Sequence, residues 1–257
     1  MLIIGLLCLC MGIAYFFLTQ DTPSGNFKEL REQGDLAKAN NKKGSFYAVC
    51  KDSRIWGLFI IYAACFGVEL TIHNIAALYF MDYFQLSLKA AGVVAGLYGI
   101  MNLFSRLLGG YVSDKLNMKF GCQSRLYWLF TTLFAEGILL IIFSQLTTLP
   151  LAVLIFISFA LCVQMSTGAT FSVVPLINRK GMGSVVGIVG AGGNVGAVAA
   201  GFLFKSTAID WPTALLILGG LVMIISFMAF TVRLKDEKET SVKLAPVRIK
   251  EELVEVG

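Results

Sequence analysis

Charged residues are scarce in this chain of 257 residues, at 14% of the composition, whereas soluble proteins carry about 25%. Apolar residues make up 57% of the chain, and the mean hydropathy is +0.77. The charges that are present are clustered between long apolar runs. This composition excludes an ordinary soluble domain and indicates an integral membrane protein.

Residues that carry chemistry are also few, with a single histidine in the chain. The sequence has no nucleophile and base set, no cluster of metal ligands and no cofactor-binding fingerprint. Its six cysteines are scattered through apolar runs and polar connections, so they predict neither a disulfide framework nor a metal site. We therefore expect a protein that is not an enzyme and that needs no cofactor.

Seven apolar runs are long enough to cross a bilayer, which takes about 20 residues of helix. A lipid environment requires an internally bonded backbone, and the runs lack the strict alternation of a membrane barrel. The first run begins next to Met1, but it has neither the basic flank nor the cleavage site of a signal peptide. We expect an all-α membrane protein with seven transmembrane helices, at residues 2–18, 55–80, 90–112, 126–143, 150–172, 183–204 and 212–232.

Basic residues alternate between rich and poor connections along the chain. The rich ones are residues 20–54, 113–125, 178–182 and the tail at 233–257. The positive-inside rule places these segments in the cytoplasm. The same asymmetry accounts for the net charge of +5, so we predict no binding of nucleic acid. The plasma membrane is the expected location.

Arg106 is the only charged residue in the apolar run at 92–110. Its guanidinium is protonated at any physiological pH. A fixed cation at membrane depth is costly, and such residues face a cavity, a partner or a ligand rather than lipid. An anion is the ligand that suits it best. Asn102 lies one helical turn before Arg106, where it could orient the guanidinium or contact the same ligand.

The other polar residues at membrane depth each have two interpretations. Glu69, His73 and Asn74 could form a substrate-lining or proton-responsive face, or a polar face packed against a neighbouring helix. For Glu136, proton coupling and structural pairing stay equally open. Gln164 could line a pore, although hydrogen bonding between helices is the commoner role.

Glycine or alanine recurs at nearly every third or fourth position of the run at 183–201. Such spacing by itself supports only close helix packing. A sharper interpretation uses the missing side chains at Gly192 and Gly193, where the backbone can approach a small flat ligand beside the amide of Asn194. An arginine on one side and this glycine wall on the other would suit a planar oxyanion.

Six motifs together resemble the nitrate/nitrite porter family of the major facilitator superfamily, and in particular the high-affinity nitrate transporters of plants and algae. The motif at 109–115 resembles the superfamily loop G-x-x-x-D-R/K, and the motif at 190–196 resembles the nitrate signature. The six are DTPSGN at 21–26, GVEL at 67–70, NLFSR at 102–106, GGYVSDK at 109–115, GATF at 168–171 and GAGGNVG at 190–196.

The resemblance implies a twelve-helix fold of two halves, of which this chain holds the sixth helix and the C-terminal six-helix bundle. The implied organisation is the last helix of the first half at 1–19, a cytoplasmic central loop at 20–54, the bundle at 55–232 and a cytoplasmic tail at 233–257. The rest of the N-terminal half, with a second arginine and a second nitrate signature, is expected to be missing from this sequence.

Nitrate transport is the function that the resemblance implies, in the form of proton-coupled symport of nitrate or nitrite by alternating access. The implied roles fall on several polar and small residues. Substrate binding is assigned to Arg106, Asn102, Asn194, Gly192, Gly193 and Asn74, proton coupling to Glu69 and Glu136, and the conformational loop to Gly110, Asp114 and Lys115. The implied partners are nitrate or nitrite, protons, the lipid bilayer and a small accessory membrane protein.

Three alternatives stay open at the level of sequence. A nitrate/nitrite exchanger of the same family would work without protons, and counterflow at clamped pH would reveal it. A non-transporting half-carrier, acting as a membrane subunit or sensor, would be recognised from the 5′ end of the transcript. A carrier of the superfamily for another anion is disfavoured by the glycine signature.

Overall fold

The computed structural model describes residues 2–21, 25–32, 45–178, 181–205 and 209–234. It divides into two compact units, residues 1–44 and 45–257. The first unit contains α1 (Leu2–Leu18) and the short α2 (Phe27–Glu32). The carboxylate of Asp21 accepts a hydrogen bond of 3.0 Å from the backbone N–H of Phe27 and so caps the start of α2.

The second unit contains a short helix and the six helices that can cross a membrane, as judged by length and composition. The described residues form helices and no strands, so the prediction of an all-helical membrane protein is confirmed. The first run, α1, is apolar but shorter than the other six when the 3-10 turn at Phe227–Thr231 is counted with α9. The helices of this unit are α3 (Ser45–Cys50), α4 (Ser53–Asp82), α5 (Leu88–Phe120), α6 (Ser124–Ser144), α7 (Leu149–Ile177), α8 (Met182–Lys205) and α9 (Trp211–Ser226), with a 3-10 turn at Phe227–Thr231.

The ends of the helices follow local signals in the sequence. Asp52 caps α4 by accepting from the N–H of Arg54 at 3.0 Å, and Ser87 caps α5. Pro150 lies in the first turn of α7, where its missing N–H costs nothing. Gly121 ends α5 with a φ of +84°, a conformation that favours glycine.

The largest difference from the predicted bounds is at the end of α5. The apolar run stops near residue 112, but the helix continues to Phe120, and only residues 121–123 connect it to α6. Gly110, Asp114 and Lys115 therefore lie within the last turns of the helix rather than in a loop. Hydropathy marks the part of a helix that lies in hydrocarbon, whereas polar turns beyond it stay helical in water.

Helix α4 is the most buried of the six helices and α5 the least. Small residues set the closest approaches between helices. A Cβ at Gly67 of α4 would lie 2.6 Å from the carbonyl carbon of Gly196 of α8, and a Cβ at Gly109 of α5 would lie 2.7 Å from the Cα of Met165 of α7. Both α5 and α8 thus pack closely onto the helices at the centre of the bundle.

Candidate anion-binding site

Arg106 of α5 forms an ion pair with Glu69 of α4. Its Nη2 lies 2.7 Å and 2.8 Å from the two carboxylate oxygens. The side chain of Glu69 is 6% exposed and that of Arg106 is 38% exposed. The cation at membrane depth therefore has a protein carboxylate as its partner, and the guanidinium keeps one open side.

Two side chains of α7 complete this polar cluster. Thr167 donates a hydrogen bond of 3.1 Å to Oε2 of Glu69. The amide oxygen of Gln164, a fully buried residue, lies 3.5 Å from Nη2 of Arg106. Sequence reasoning missed Thr167, because a threonine in an apolar helix usually bonds its own backbone, as this one also does with Val163.

Several donors of the cluster have no acceptor. Nε of Arg106 and the amide nitrogen of Gln164 are buried and bond to no atom in the described part of the chain. A buried donor that lacks an acceptor destabilises the folded protein by about 1–3 kcal/mol. Donors beside a partly exposed guanidinium provide what a small oxyanion requires, which is a set of N–H groups directed at its oxygens.

The position of Arg106 depends on the close crossing of α5 and α7. A Cβ at Gly168 would collide with the carbonyl oxygen of Arg106 and would lie 3.1 Å from its carbonyl carbon. The absence of a side chain at Gly168 lets the backbone of α5 approach α7 at this point. The spacing between Arg106 and Gln164 is therefore set by a glycine.

An aromatic pair of α4 lies between Arg106 and the glycines of α8. Phe66 lies under the guanidinium, with 5.8 Å between Cζ of Arg106 and the ring centroid, and it stacks on Tyr62 at 5.0 Å. A Cβ at Gly193 would lie 2.5 Å from Phe66 and 2.8 Å from Tyr62. Gly192 faces Phe59 in the same way, 3.0 Å from its ring.

Both buried glycines therefore pack against α4, and the structure does not place them as a wall opposite the arginine. The packing interpretation of their spacing describes what they do in this bundle. Direct contact between these glycines and a substrate stays a prediction.

The three asparagines of the predicted set do not join the Arg106 cluster. Asn102, Asn74 and Asn194 are all exposed. The amide of Asn194 donates to the carbonyl of Gly190 in its own helix at 3.4 Å, and no hydrogen bond links Asn102 to Arg106 among the described residues. The guanidinium is oriented by Glu69 instead. A role for these asparagines in substrate binding stays a prediction.

Glu136 of α6 is completely buried, and its partner is a residue that the sequence did not reveal. Ser166 of α7 donates a hydrogen bond of 2.7 Å to Oε2 of Glu136, while Oε1 is buried without a partner in the described chain. Ser166 and Thr167 are neighbours, so one turn of α7 bonds both carboxyl groups at membrane depth. His73, by contrast, is exposed.

The motif at 109–115, in the last turns of α5, forms contacts with its neighbours. Asp114 forms a 2.6 Å ion pair with Arg125 at the start of α6. The ammonium of Lys115 lies 4.7 Å from the ring centroid of Tyr111. Trp128 of α6 donates to the carbonyl of Gly109 at 3.1 Å. The contacts of Asp114 and Gly109 tie α5 to α6 at the end where the short connection lies, whereas that of Lys115 stays within α5.

Neither a metal centre nor an apolar cavity competes with this cluster as the site. Within the described ranges, no group of three or more His, Cys, Asp or Glu residues is placed to hold a metal ion. A cavity of about 290 Å³ between α4, α8 and α9 is lined by aliphatic residues and glycine, including Ile60, Val68 and Leu218. Such a lining offers nothing that would bind an anion.

The sequence profile of the Major Facilitator Superfamily matches residues 1–182 of the chain. The chain belongs to this superfamily. It is 36% identical over 218 residues to "High affinity nitrate transporter 2.5" of Arabidopsis thaliana, covering 84% of this chain and 43% of that protein. It is 36% identical over 197 residues to "Nitrate transporter 2.2" of Chlamydomonas reinhardtii, covering 74% and 38%.

A cyanobacterial relative, "Nitrate/nitrite transporter NrtP" of Picosynechococcus, is 36% identical over 150 residues, covering 57% of this superfamily member and 27% of NrtP. The resemblance to plant and algal nitrate transporters is thus confirmed. The chain spans less than half the length of the curated relatives it matches.

Proposed function

We propose that this superfamily member takes part in the transport of nitrate across a membrane, with protons as co-substrate. The observation that carries the proposal is the ion pair of Arg106 with the buried carboxylate of Glu69. A guanidinium with unused donors binds a planar oxyanion, and a neighbouring carboxylate can take up a proton. The names of the relatives supply the anion, which is nitrate.

In this mechanism the carboxylate of Glu69 and the nitrate ion compete for the guanidinium of Arg106. In the structure the carboxylate of Glu69 is bonded to Nη2 of Arg106, and Thr167 donates a hydrogen bond to that carboxylate. Protonation of Glu69 removes the charge that holds the pair together, and the donors of Arg106 then become available to nitrate. Departure of nitrate restores the pair when Glu69 loses its proton.

Protons also make the transport thermodynamically possible. Moving one negative charge inward against an inside-negative potential costs about 2.3 kcal/mol per 100 mV. One proton carried with each nitrate removes this cost, and a second makes the potential a driving force. Glu69 and Glu136 are the carboxyl groups that we propose to carry them, because both lie at membrane depth in the described helices.

The site is open on one side, and we propose that further membrane helices close it. The exposed part of the Arg106 side chain and the exposed Asn102 and Asn74 lie where such helices would contribute their own polar groups. Alternating access would then move this bundle against the facing one around the bound anion. A small accessory membrane protein is a further predicted partner.

The proposed orientation places one end of the bundle in the cytoplasm of the cell, with the plasma membrane as the proposed location. At that end Gln123 donates to the carbonyl of Leu234 at 2.8 Å, and Arg54 approaches the carbonyl of Arg233 at 3.4 Å. The starts of α4 and α6 and the chain after α9 are therefore gathered together. Arg54, Arg125 and Arg233 lie at this end of the described bundle.

The test is uptake of isotopically labelled nitrate by cells that express the full chain, at acidic and at neutral external pH. Uptake by the wild type should rise on acidification. The double variant Glu69→Gln/Glu136→Gln should lose this dependence, and each single variant should lose part of it. A matched control is Asp82→Asn, which removes a carboxylate from the end of α4.

Unchanged pH-dependent uptake in the double variant would refute the role of these two carboxyl groups. Counterflow of nitrite against nitrate at clamped pH, with no response to acidification, would instead identify an exchanger.

A further inference from the structure

We infer that Gln164 contacts the substrate and favours nitrate over nitrite. The inference rests on the proposed function, because it assigns a further residue to the same anion site. Gln164 lies on α7, is completely buried and places its side-chain amide beside the guanidinium of Arg106. Its amide nitrogen has no acceptor in the described part of the chain.

The N–H donors that an anion would use lie on one edge of the Arg106 guanidinium. Nε and Nη2 of a guanidinium form one of its two-donor edges, which matches the spacing of two oxygens of a planar anion. Nη2 is bonded to Glu69, and Nε is buried without an acceptor. When Glu69 is protonated and leaves, this edge presents two N–H donors to an incoming anion.

A count of donors and acceptors distinguishes the two candidate anions. Nitrate has three oxygens in one plane, whereas nitrite has two. Two oxygens of either anion are satisfied by the Nε and Nη2 edge. The third oxygen of nitrate needs another donor, and the amide of Gln164, whose oxygen is 3.5 Å from Nη2, is placed to supply it. Nitrite leaves that amide unsatisfied.

A purely structural role would rely on the amide oxygen of Gln164 rather than on its nitrogen. That oxygen is 3.5 Å from Nη2, which is the outer limit of a hydrogen bond and therefore a weak contact. The structural role also leaves two amide N–H groups buried without acceptors. Substrate contact accounts for both observations.

The experiment measures the affinities of nitrate and nitrite separately, with purified full chain in detergent or lipid, for the wild type and for Gln164→Leu and Gln164→Glu. Gln164→Leu removes the donors, so nitrate binding should weaken about ten- to a hundredfold, while nitrite binding changes much less. Gln164→Glu keeps an acceptor beside Arg106 but has no amide donors. The added carboxylate repels both anions, so a substrate contact predicts that the ratio of nitrate to nitrite affinity falls in this variant as well, whereas a structural contact predicts that both affinities fall together.

Thr170→Val is the matched control, because Thr170 is an equally buried polar residue of α7 whose hydroxyl bonds to the carbonyl of Ser166. It should leave the ratio of nitrate to nitrite affinity unchanged. An unchanged ratio of nitrate to nitrite affinity in Gln164→Leu or in Gln164→Glu would overturn the inference while leaving nitrate transport intact. If the wild type binds neither anion, the proposed function fails and this inference fails with it.

Discussion

The carboxylate of Glu69 accepts two contacts from a single nitrogen of Arg106, at 2.7 Å and 2.8 Å, across the interface of α4 and α5. Because the bond is made through Nη2, it blocks an edge of the guanidinium that a planar anion would use. The pair thus represents an arginine site already occupied by an internal anion. Loss of either partner leaves a charge without compensation in a region of low dielectric.

Arg106→Lys should abolish or strongly reduce nitrate uptake, by about tenfold or more. Lysine keeps the positive charge opposite Glu69 but loses the planar pair of donors. The measurement is uptake kinetics alongside surface expression, which should be unaffected. Arg54→Lys is a suitable control, since Arg54 forms a 2.6 Å ion pair with Asp52 far from the cluster along α4. Wild-type kinetics in Arg106→Lys would remove Arg106 from the site.

Arg106→Gln should destabilise the protein more than the double variant Arg106→Gln/Glu69→Gln. The single change leaves a buried carboxylate without its cation, which costs about 3–5 kcal/mol, while the double change removes both charges. Thermal unfolding of the four forms in detergent gives the coupling energy by a double-mutant cycle. Additive effects of the two substitutions would show that the pair contributes nothing in the folded protein.

Gly168→Ala should lower both stability and nitrate affinity. The added Cβ would meet the carbonyl group of Arg106 and would lie 3.3 Å from the backbone nitrogen of Gly110, so α5 and α7 must separate. Overpacking of this kind costs about 1–3 kcal/mol. Gly99→Ala on α5 is the control, because no atom lies within 4 Å of that Cβ position. Equal behaviour of the two variants would contradict the role of Gly168 in positioning Arg106.

Gly196→Ala and Gly190→Ala should have different effects, although both lie in the glycine signature. A Cβ at Gly196 would collide with the backbone of Ala63 on α4, whereas one at Gly190 meets nothing within 4 Å. We expect Gly196→Ala to lower the unfolding temperature and to reduce uptake, and Gly190→Ala to leave the unfolding temperature unchanged. Loss of uptake in a stably folded Gly190→Ala would show that the signature contacts substrate or a facing helix.

Polar residues in apolar runs were informative because placing each of them in the bilayer costs free energy. That cost singled out Arg106, Glu69 and Glu136, and it separated them from the many polar residues of the connections. It did not identify their partners. Arg106 and Glu69 are separated by 37 positions, and helix periodicity relates only residues that are three or four apart.

The glycine run at 183–201 shows a feature whose partner the sequence could not identify. Small residues at regular spacing predict that another group comes close to the helix backbone. The pattern is the same whether that group is a neighbouring helix or a ligand. The structure shows α4 against Gly192, Gly193 and Gly196. Thr167 was overlooked, and Gln164 was assigned more readily to hydrogen bonding between helices than to a pore, because amide and hydroxyl groups in a membrane helix are usually satisfied by neighbouring backbone or helices.

The sequence by itself determined that this is a helical membrane protein with a cation at membrane depth, because hydropathy and the cost of buried charge are local properties of a segment. Only the tertiary structure decided that Glu69 occupies the guanidinium, that Thr167 and Gln164 complete the cluster and that Ser166 bonds Glu136. Those contacts depend on how α4, α5, α6 and α7 cross, and the crossing is set by close packing between helices rather than by the order of residues within one of them.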